Sequence, residues 1–544
     1  MMRRLYGGDP SALLGFKNYT YESVLEATKD QAGDPFMAFR EYLECTKENL
    51  RPATSVELKS SDGKALFRKI GSTPYSGRRD RSAPQAMTQD DQDMMKSLNL
   101  KSDWVLPPTG TVAMEDSLRS QAARQKMDAS FEMTMDDFCI LLSRYIHKNI
   151  RSGKSLNCGI RGMIAFMDSF EDKSSAWTAK WHNLNKRDMV LRFRSQLIAI
   201  TYARLALRAT MWDKLPTMTP QERIMHGLAD PKDNSIKNES HDTDKASAKR
   251  WRHIWASSVV DLMCQFYSSE AHNKDDIEAY QSCEDHHHTS GMGHHDEGVQ
   301  RIGAAITHQF PSGHVVSDDA SGWDMSVNAD HLVFDATLRA VAWHAAGYDV
   351  PPEQLLGMQF ATLLDAFSHL GHVLVCGSQV WQTVKHGMVP SGWLNTTATN
   401  NHIRGASSYV AGSRKFITGG DDLLSDVVLN ENALRKQGVI SKGHKISDWR
   451  KGEPVLYTSH EFTYDEESDS WTAKFMNLSK SVAKLLLRFP AGTARSKVED
   501  PLRGICWAIR HNPTALETFS QIVAYRGWGS LPSKEDWAMG TWDD

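Results

Sequence analysis

The stretch Phe416-Ile417-Thr418-Gly419-Gly420-Asp421-Asp422-Leu423-Leu424, continued by Val427-Val428-Leu429, decides how this chain is read. Apolar arms on either side of a Gly-Asp turn predict a β-hairpin. Two adjacent carboxylates on such a turn repel one another, and a divalent cation removes that repulsion. Gly-Asp-Asp is also a common plain turn, so its meaning depends on the sequence around it.

Upstream, His314–Asp324 reads as a short buried strand ending in acid and then a turn. A helix is expected from near Ser326 to about Ala346, because Phe334, Leu338, Val341 and Ala345 recur at helical spacing. A carboxylate at the strand's end, Asp319, can reach a metal, and Asp324 beyond the turn would face the same site from another height. Either aspartate alone is also an ordinary helix cap. Between this strand and the hairpin, the glycine-bearing loop Gly387–Gly392 leads into a segment crowded with Ser, Thr and Asn. These are mediocre helix formers, and propensity alone predicts a loop. A helix built from them implies a face that recognises something polar.

Between Asp230 and Asp261 the chain carries Lys237, Lys245 and Lys249-Arg250-Trp251-Arg252. In a strand, Arg250 and Arg252 would share one face, with Lys237 arriving from a preceding strand. Paired guanidiniums suit phosphate oxygens, although an exposed strand has the same pattern. From Arg187 to Arg208 apolar residues recur at helical spacing, studded with Arg192, Arg194, Arg204 and Arg208. These arginines are read either as a solvated face or as a phosphate-facing surface. Residues Cys283–Asp296 hold His286-His287-His288 and His294-His295 around a Gly291-Met292-Gly293 loop. Such tracts can bind zinc, but consecutive histidines cannot all face one ion.

The first 130 residues say least. Helical pieces are expected around Tyr21–Ala27 and Pro35–Leu50, and the polar Gly71–Asp93 reads as a mobile loop or linker. A helix is expected at Met135–Tyr145. After the hairpin come a helix at Glu431–Gly438, a basic turn at Ser441–Lys445 and a strand at Leu456–Phe462. The rest reads as helical, with helices at Leu478–Phe489 and from Asp500-Pro501 through Arg510.

The 544 residues allow several domains or one large enzyme. The formal net charge of −4 means that any nucleic-acid path must be a local basic lining. Seven scattered cysteines without a C-x-x-C pair predict free thiols in a reducing compartment. No apolar run is long enough to span a bilayer. No apolar core follows Arg3 and Arg4, so no signal peptide is expected.

In order, these motifs resemble those of the RNA-dependent RNA polymerases of positive-strand RNA viruses. His314–Asp324 is similar to motif A. Ser391-Gly392, Thr396 and Asn400 resemble motif B, and Gly420-Asp421-Asp422 motif C. Glu431–Lys445 resembles motif D, Tyr457–Phe462 motif E and Lys237–Arg252 motif F. The sobemovirus-like group is the best match. It is carried by Ser321-Gly322-Trp323-Asp324 with Ser326-Val327, Met218-Thr219-Pro220 through Gly227–Pro231, Gly291-Met292-Gly293, and Leu485-Leu486 with Arg488 and Ile509–Pro513. The resemblance covers roughly residues 215 to 515. It departs at Lys237-Asn238-Glu239-Ser240, where a proline is expected after the glutamate.

The resemblance implies an α+β right-hand polymerase whose antiparallel palm sheet is backed by helices. Residues 1–130 would be an N-terminal extension, part of the fingers. Residues 131–310 would be fingers with the basic motif, 311–465 palm with a fingers insertion near 347–385, and 466–544 thumb. It implies RNA-directed synthesis of a viral genome from ribonucleoside triphosphates by two-metal nucleotidyl transfer. Asp319, Asp421 and Asp422 would bind magnesium, with manganese able to substitute. Spacing to Asp324 favours Asp319 over Asp318. Lys237, Arg250 and Arg252 would hold the triphosphate, and Lys442 or Lys445 would protonate pyrophosphate. Asp324, Ser391, Gly392, Thr396 and Asn400 would bind the substrate. Asp324, Ser391 and Asn400 would read its 2′-hydroxyl. Gly420 stands where reverse transcriptases usually carry an aromatic, which favours RNA synthesis. Implied partners are template and nascent RNA, a genome-linked protein primer and other viral replication proteins, in replication complexes of the host cytoplasm. The alternative is an RNA-binding scaffold that keeps the fold without activity.

Overall fold

In the computed structural model the acid hairpin forms as read. Phe416–Gly419 and Asp422–Ser425 pair antiparallel around a Gly420-Asp421 turn. Gly420 takes φ +68°, as the first turn position of a type II′ hairpin requires. The structure describes residues 35–48, 50, 55–74, 81–149, 160–170, 178–278, 287–345, 352–385 and 387–538.

Asp422–Ser425 pairs with His314–Ala320, which pairs in turn with Ser441–Asp448, giving a four-stranded antiparallel sheet. Leu423 lies opposite Asp318, so the acid strand and the acid hairpin are neighbours. Alternate residues of the hairpin serve two cores. Phe416 and Leu423 pack with Leu338, Ile403 and Ala406 from the helices Ala329–Ala345 and Thr396–Val410. Ile417 and Leu424 pack with Val299, Ile302 and Ile306 of Asp296–Gln309. Helices thus cover both faces, and the turn with its carboxylates projects at one end.

A six-stranded mixed sheet takes strands from distant parts of the chain, in the order Glu57–Lys59, Ala65–Ser72, Gln379–Thr383, Val373–Cys376, Lys232–Ile236, His253–Ala256. Only the pairing of Lys232–Ile236 with Val373–Cys376 is parallel. Two small three-stranded antiparallel sheets complete the α+β architecture. One of them, Val455–Tyr457, His460–Asp465 and Ser470–Phe475, crosses the expected boundary at residue 465. C-terminal helices form a core with Met87, Met95 and Leu106.

Several local expectations are corrected. Gly71–Asp93 is no linker throughout: a helix starts at Gln89, capped by Thr88, and Asp91 within it is buried against Arg526. Ser441–Lys445 is strand rather than turn, bulged between Ser441 and His444. Leu456–Phe462 is a hairpin, not one strand, because Thr458 and Ser459 adopt φ of +46° and +63°. Ser470–Phe475 is a strand where helix is expected. Arg250 and Arg252 precede their strand, which begins at His253, and they flank the buried Trp251.

The helix Lys186–Thr210 forms, but Arg204 and Arg208 are neither solvated nor phosphate-facing. Arg204 grips Asp230 with two nitrogens (2.7 and 2.8 Å) and Asp261 at 2.9 Å, while Arg208 meets Asp365 at 2.9 Å. Lys232 adds a third cation to Asp261 at 3.0 Å. Burial raises the carboxyl of Asp261, but these cations outweigh it and hold the group far below the usual range.

The described histidines of the cluster diverge. His294 stacks on His460, His295 caps the helix Asp296–Gln309, and His287 and His288 are buried. Among the described residues no group of three His, Cys, Asp or Glu side chains is placed to hold a metal ion. His286, Cys158, Cys283 and the helix expected at Tyr21–Ala27 lie outside the described residues. Cys139, Cys264, Cys376 and Cys506 are free thiols. No described helix is long and apolar enough to cross a membrane.

Candidate active site

The sheet sends the two adjacent acids of the strand His314–Ala320 to opposite sides. Asp318 turns inward, where Arg404 and Ser441 donate to its two oxygens. Asp319 turns outward, half exposed, and accepts from Lys442 Nζ at 2.8 Å. Asp422, the first residue of its strand, is half-buried. Burial, then the charges of Asp421 and Asp319, push its carboxyl up to about 6. Burial and the charge of Asp421 push Asp324 up to about 7. Asp421 thus acts on both Asp422 and Asp324, and Asp319 acts on Asp422, which draws the four carboxylates into one crevice.

Hard carboxylate oxygens are the donors that magnesium prefers, so the donor set suits such an ion. The set is not closed on a point: among the described residues no three such side chains are placed to hold one ion, and Lys442 engages Asp319.

The basic motif reaches the same crevice. Lys237 continues the ladder of Lys232–Ile236, its N–H donating to the Arg252 carbonyl at 2.8 Å. The charges of Arg252 and Lys237 oppose the upward shift of Asp324. Both cations approach Glu239, at 3.4 Å and 3.5 Å, and Lys480 joins them at 3.6 Å. Glu239 is buried, and these three cations hold its carboxyl low against the opposing effect of burial. Arg250 lies near Arg124, which donates to Ser321 Oγ in the turn before Asp324.

The loop before the helix Thr396–Val410 docks on the basic hairpin. The Trp255 N–H donates to Ser391 Oγ at 3.2 Å, and the Gly392 N–H to the Trp255 carbonyl at 3.1 Å. A Cβ on Gly392 would stand 2.7 Å from that carbonyl oxygen, so only glycine fits. Asn400 Oδ1 accepts from Trp323 Nε1 at 3.0 Å, beside Asp324. Thr396 directs its hydroxyl to the carbonyls of Pro390 and Trp393, so its proton closes the loop. Lys445 is likewise directed elsewhere, to Glu461 at 3.8 Å.

Sequence reasoning missed Arg404, Asn401, Ser441, Arg124 and Lys480. Asn401 Oδ1 accepts from the Gly420 N–H at 2.7 Å and so holds the acid turn. The helix Leu478–Arg488 carries Lys480, Lys484 and Arg488 four residues apart, a one-sided row legible in the sequence. Its bearing on this site depended on where that helix packs.

The chain is 30% identical over 200 residues to the RNA-directed RNA polymerase of Mushroom bacilliform virus, covering 35% of this chain and 44% of that protein. It is 26% identical over 366 residues to the replicase polyprotein P2AB of Southern cowpea mosaic virus, covering 63% and 35%. It is 26% identical over 245 residues to protein P2-P3 of Poinsettia latent virus, covering 42% and 21%. These matches span less than half the length of each relative. No family model matches. The relatives agree with the resemblance drawn from the motifs: two of them are named as a viral RNA-directed RNA polymerase and a viral replicase polyprotein, at modest identity.

Proposed function

We propose that this relative of viral RNA-directed RNA polymerases is itself an RNA-directed RNA polymerase that copies a viral RNA genome. The observation that carries the reading is the convergence of Asp319, Asp324, Asp421 and Asp422 with Lys237 and Arg252 in one crevice. Cations and carboxylates facing one another suit a substrate that is anionic at its triphosphate and needs a metal at its reacting phosphate.

On this reading the four-stranded sheet is the palm. The six-stranded sheet, with the insertion near 347–385, belongs to the fingers, and the C-terminal helices to the thumb. Asp319 and Asp421, supported by Asp422, would hold two magnesium ions. When bound, these ions activate the primer 3′-hydroxyl and neutralise charge on the triphosphate. Lys237 and Arg252 bind the triphosphate, with Lys480 beside them. Arg250 with Arg124 lines the approach to the Ser321 turn. Lys442, already donating to Asp319, is better placed than Lys445 to give a proton to the leaving pyrophosphate. Asp324 accepts from the ribose 2′-hydroxyl, and Ser391 and Asn400 complete that contact.

Kinship alone supports a genome-linked primer protein, other replication proteins as partners and a place in cytoplasmic replication complexes. The comparisons do not favour the inactive scaffold. The test is template-directed incorporation of labelled ribonucleotides by the purified chain with magnesium. Incorporation that follows the template and prefers ribonucleotides over deoxyribonucleotides supports the reading. Untemplated addition, or indifference to the sugar, refutes it.

A further inference from the structure

Beneath the carboxylate crevice lies a buried chain of contacts whose members each adjoin a candidate site residue. Arg404, wholly buried in the helix Thr396–Val410, donates through Nε to the carbonyl oxygen of Asp421 at 3.0 Å. Through Nη2 it donates to Asp318 Oδ1. Its guanidinium lies 5.2 Å from the centre of the Trp323 ring. The other oxygen of Asp318 accepts from Ser441 Oγ at 2.8 Å. Asp318 precedes Asp319, Trp323 precedes Asp324, and Ser441 precedes Lys442. One guanidinium therefore meets the backbone of Asp421 and the immediate neighbours of Asp319 and Asp324, and it shares the Asp318 carboxylate with Ser441, the neighbour of Lys442.

We infer that Arg404 is the positioning residue that sets the separation of the Asp319 and Asp421 carboxylates, working through Asp318 and the Asp421 carbonyl. A guanidinium suits this task because its donors are fixed in one plane. Bonds at Nε and Nη2 fix the acid strand relative to the acid turn. A lysine keeps the charge but has no planar fork with which to hold both acceptors in register. A buried ion pair is weak evidence for net stability, so fixing geometry accounts better for an arginine here. Nη1 of Arg404, buried without a hydrogen-bond partner, is a cost that stability alone does not explain.

The inference rests on the polymerase reading for its metal site, and the test separates the two. Manganese binding to the whole chain, without RNA or nucleotide, is measured by the loss of the free-ion paramagnetic resonance signal. Thermal melting of the same samples is recorded in parallel. Arg404→Lys is expected to weaken manganese binding about 10- to 100-fold, the usual cost of losing a group that orients a metal ligand, with a cooperative melt retained. Turnover falls with it, while the KM for ribonucleotide stays near wild type. Ser441→Ala, which removes one bond from the same carboxylate, weakens manganese binding by a smaller factor. It decides the matter if Arg404→Lys does not fold.

Unchanged manganese affinity in a folded Arg404→Lys, or in Ser441→Ala should Arg404→Lys not fold, overturns the inference. So does a weakening no greater than the loss of folded protein. If manganese binding responds as expected but wild type incorporates no ribonucleotide, the positioning role stands and the polymerase reading falls.

Discussion

Lys442 Nζ lies 2.8 Å from Asp319 Oδ2, whereas Lys445, three residues on in the same strand, is turned to Glu461. Register accounts for the difference: Lys442 lies in the bulge between Ser441 and His444, whereas Lys445 pairs with Ser317, two residues along the acid strand from Asp319. If Lys442 is the proton donor, Lys442→Ala lowers turnover about 100-fold, within the usual range for a general acid. Lys445→Ala leaves it nearly unchanged. Single-nucleotide incorporation rates for the two variants check this.

Asp324 and Asp422 are both held above the ordinary carboxylate range, to about 7 and about 6. A raised carboxyl keeps its proton longer in the folded state than in the unfolded chain. Its contribution to stability is therefore intact below about pH 4 and is lost as pH rises through the folded value. Asp324→Asn removes this loss. The variant is expected to exceed wild type at pH 8 by on the order of 1 kcal/mol, since solvent reaching the half-buried group discounts the shift. The two should coincide near pH 4. Urea unfolding at both pH values without metal measures the difference.

The hairpin, the acid strand and the helices Pro35–Glu48, Met135–Asn149 and Lys186–Thr210 were legible because apolar spacing and turn chemistry are local signals. The six-stranded sheet was not legible, since it joins residues 57–72, 232–256 and 373–383 by long-range pairing. The fate of Arg204 and Arg208 was hidden for the same reason: their partners Asp230, Asp261 and Asp365 come from other elements. The thirteen candidate site residues came from motif order. Thr396 and Lys445 turn to partners away from the carboxylates, because hydroxyl and amine direction depends on local loop closure and on strand register.

That buried network yields its own expectation. Asp261→Ala leaves Lys232 and Arg204 short of a partner in the interior, and should cost about 3–5 kcal/mol. Glu297→Ala, which removes an exposed partner from Arg301, should cost less than about 1 kcal/mol. Denaturant unfolding of both variants tests the contrast.

Two glycines should respond differently to alanine. Gly392→Ala drives a methyl group into the Trp255 carbonyl and the Ala256 backbone. It should displace the loop that carries Ser391 and raise the KM for ribonucleotide. Gly420 has open space around it but a left-handed φ of +68°. Gly420→Ala should cost only about 1–2 kcal/mol, with a smaller effect on KM. Steady-state kinetics alongside thermal melting separates the two.

The most direct measurement is template-directed ribonucleotide incorporation with magnesium by wild type, Asp319→Asn and Asp421→Asn, each shown to bind RNA and to melt cooperatively. The account predicts incorporation by wild type and none detectable in either variant. Incorporation that survives Asp421→Asn would contradict it, because the reacting phosphate would then lie somewhere other than the crevice at the Gly420-Asp421 turn.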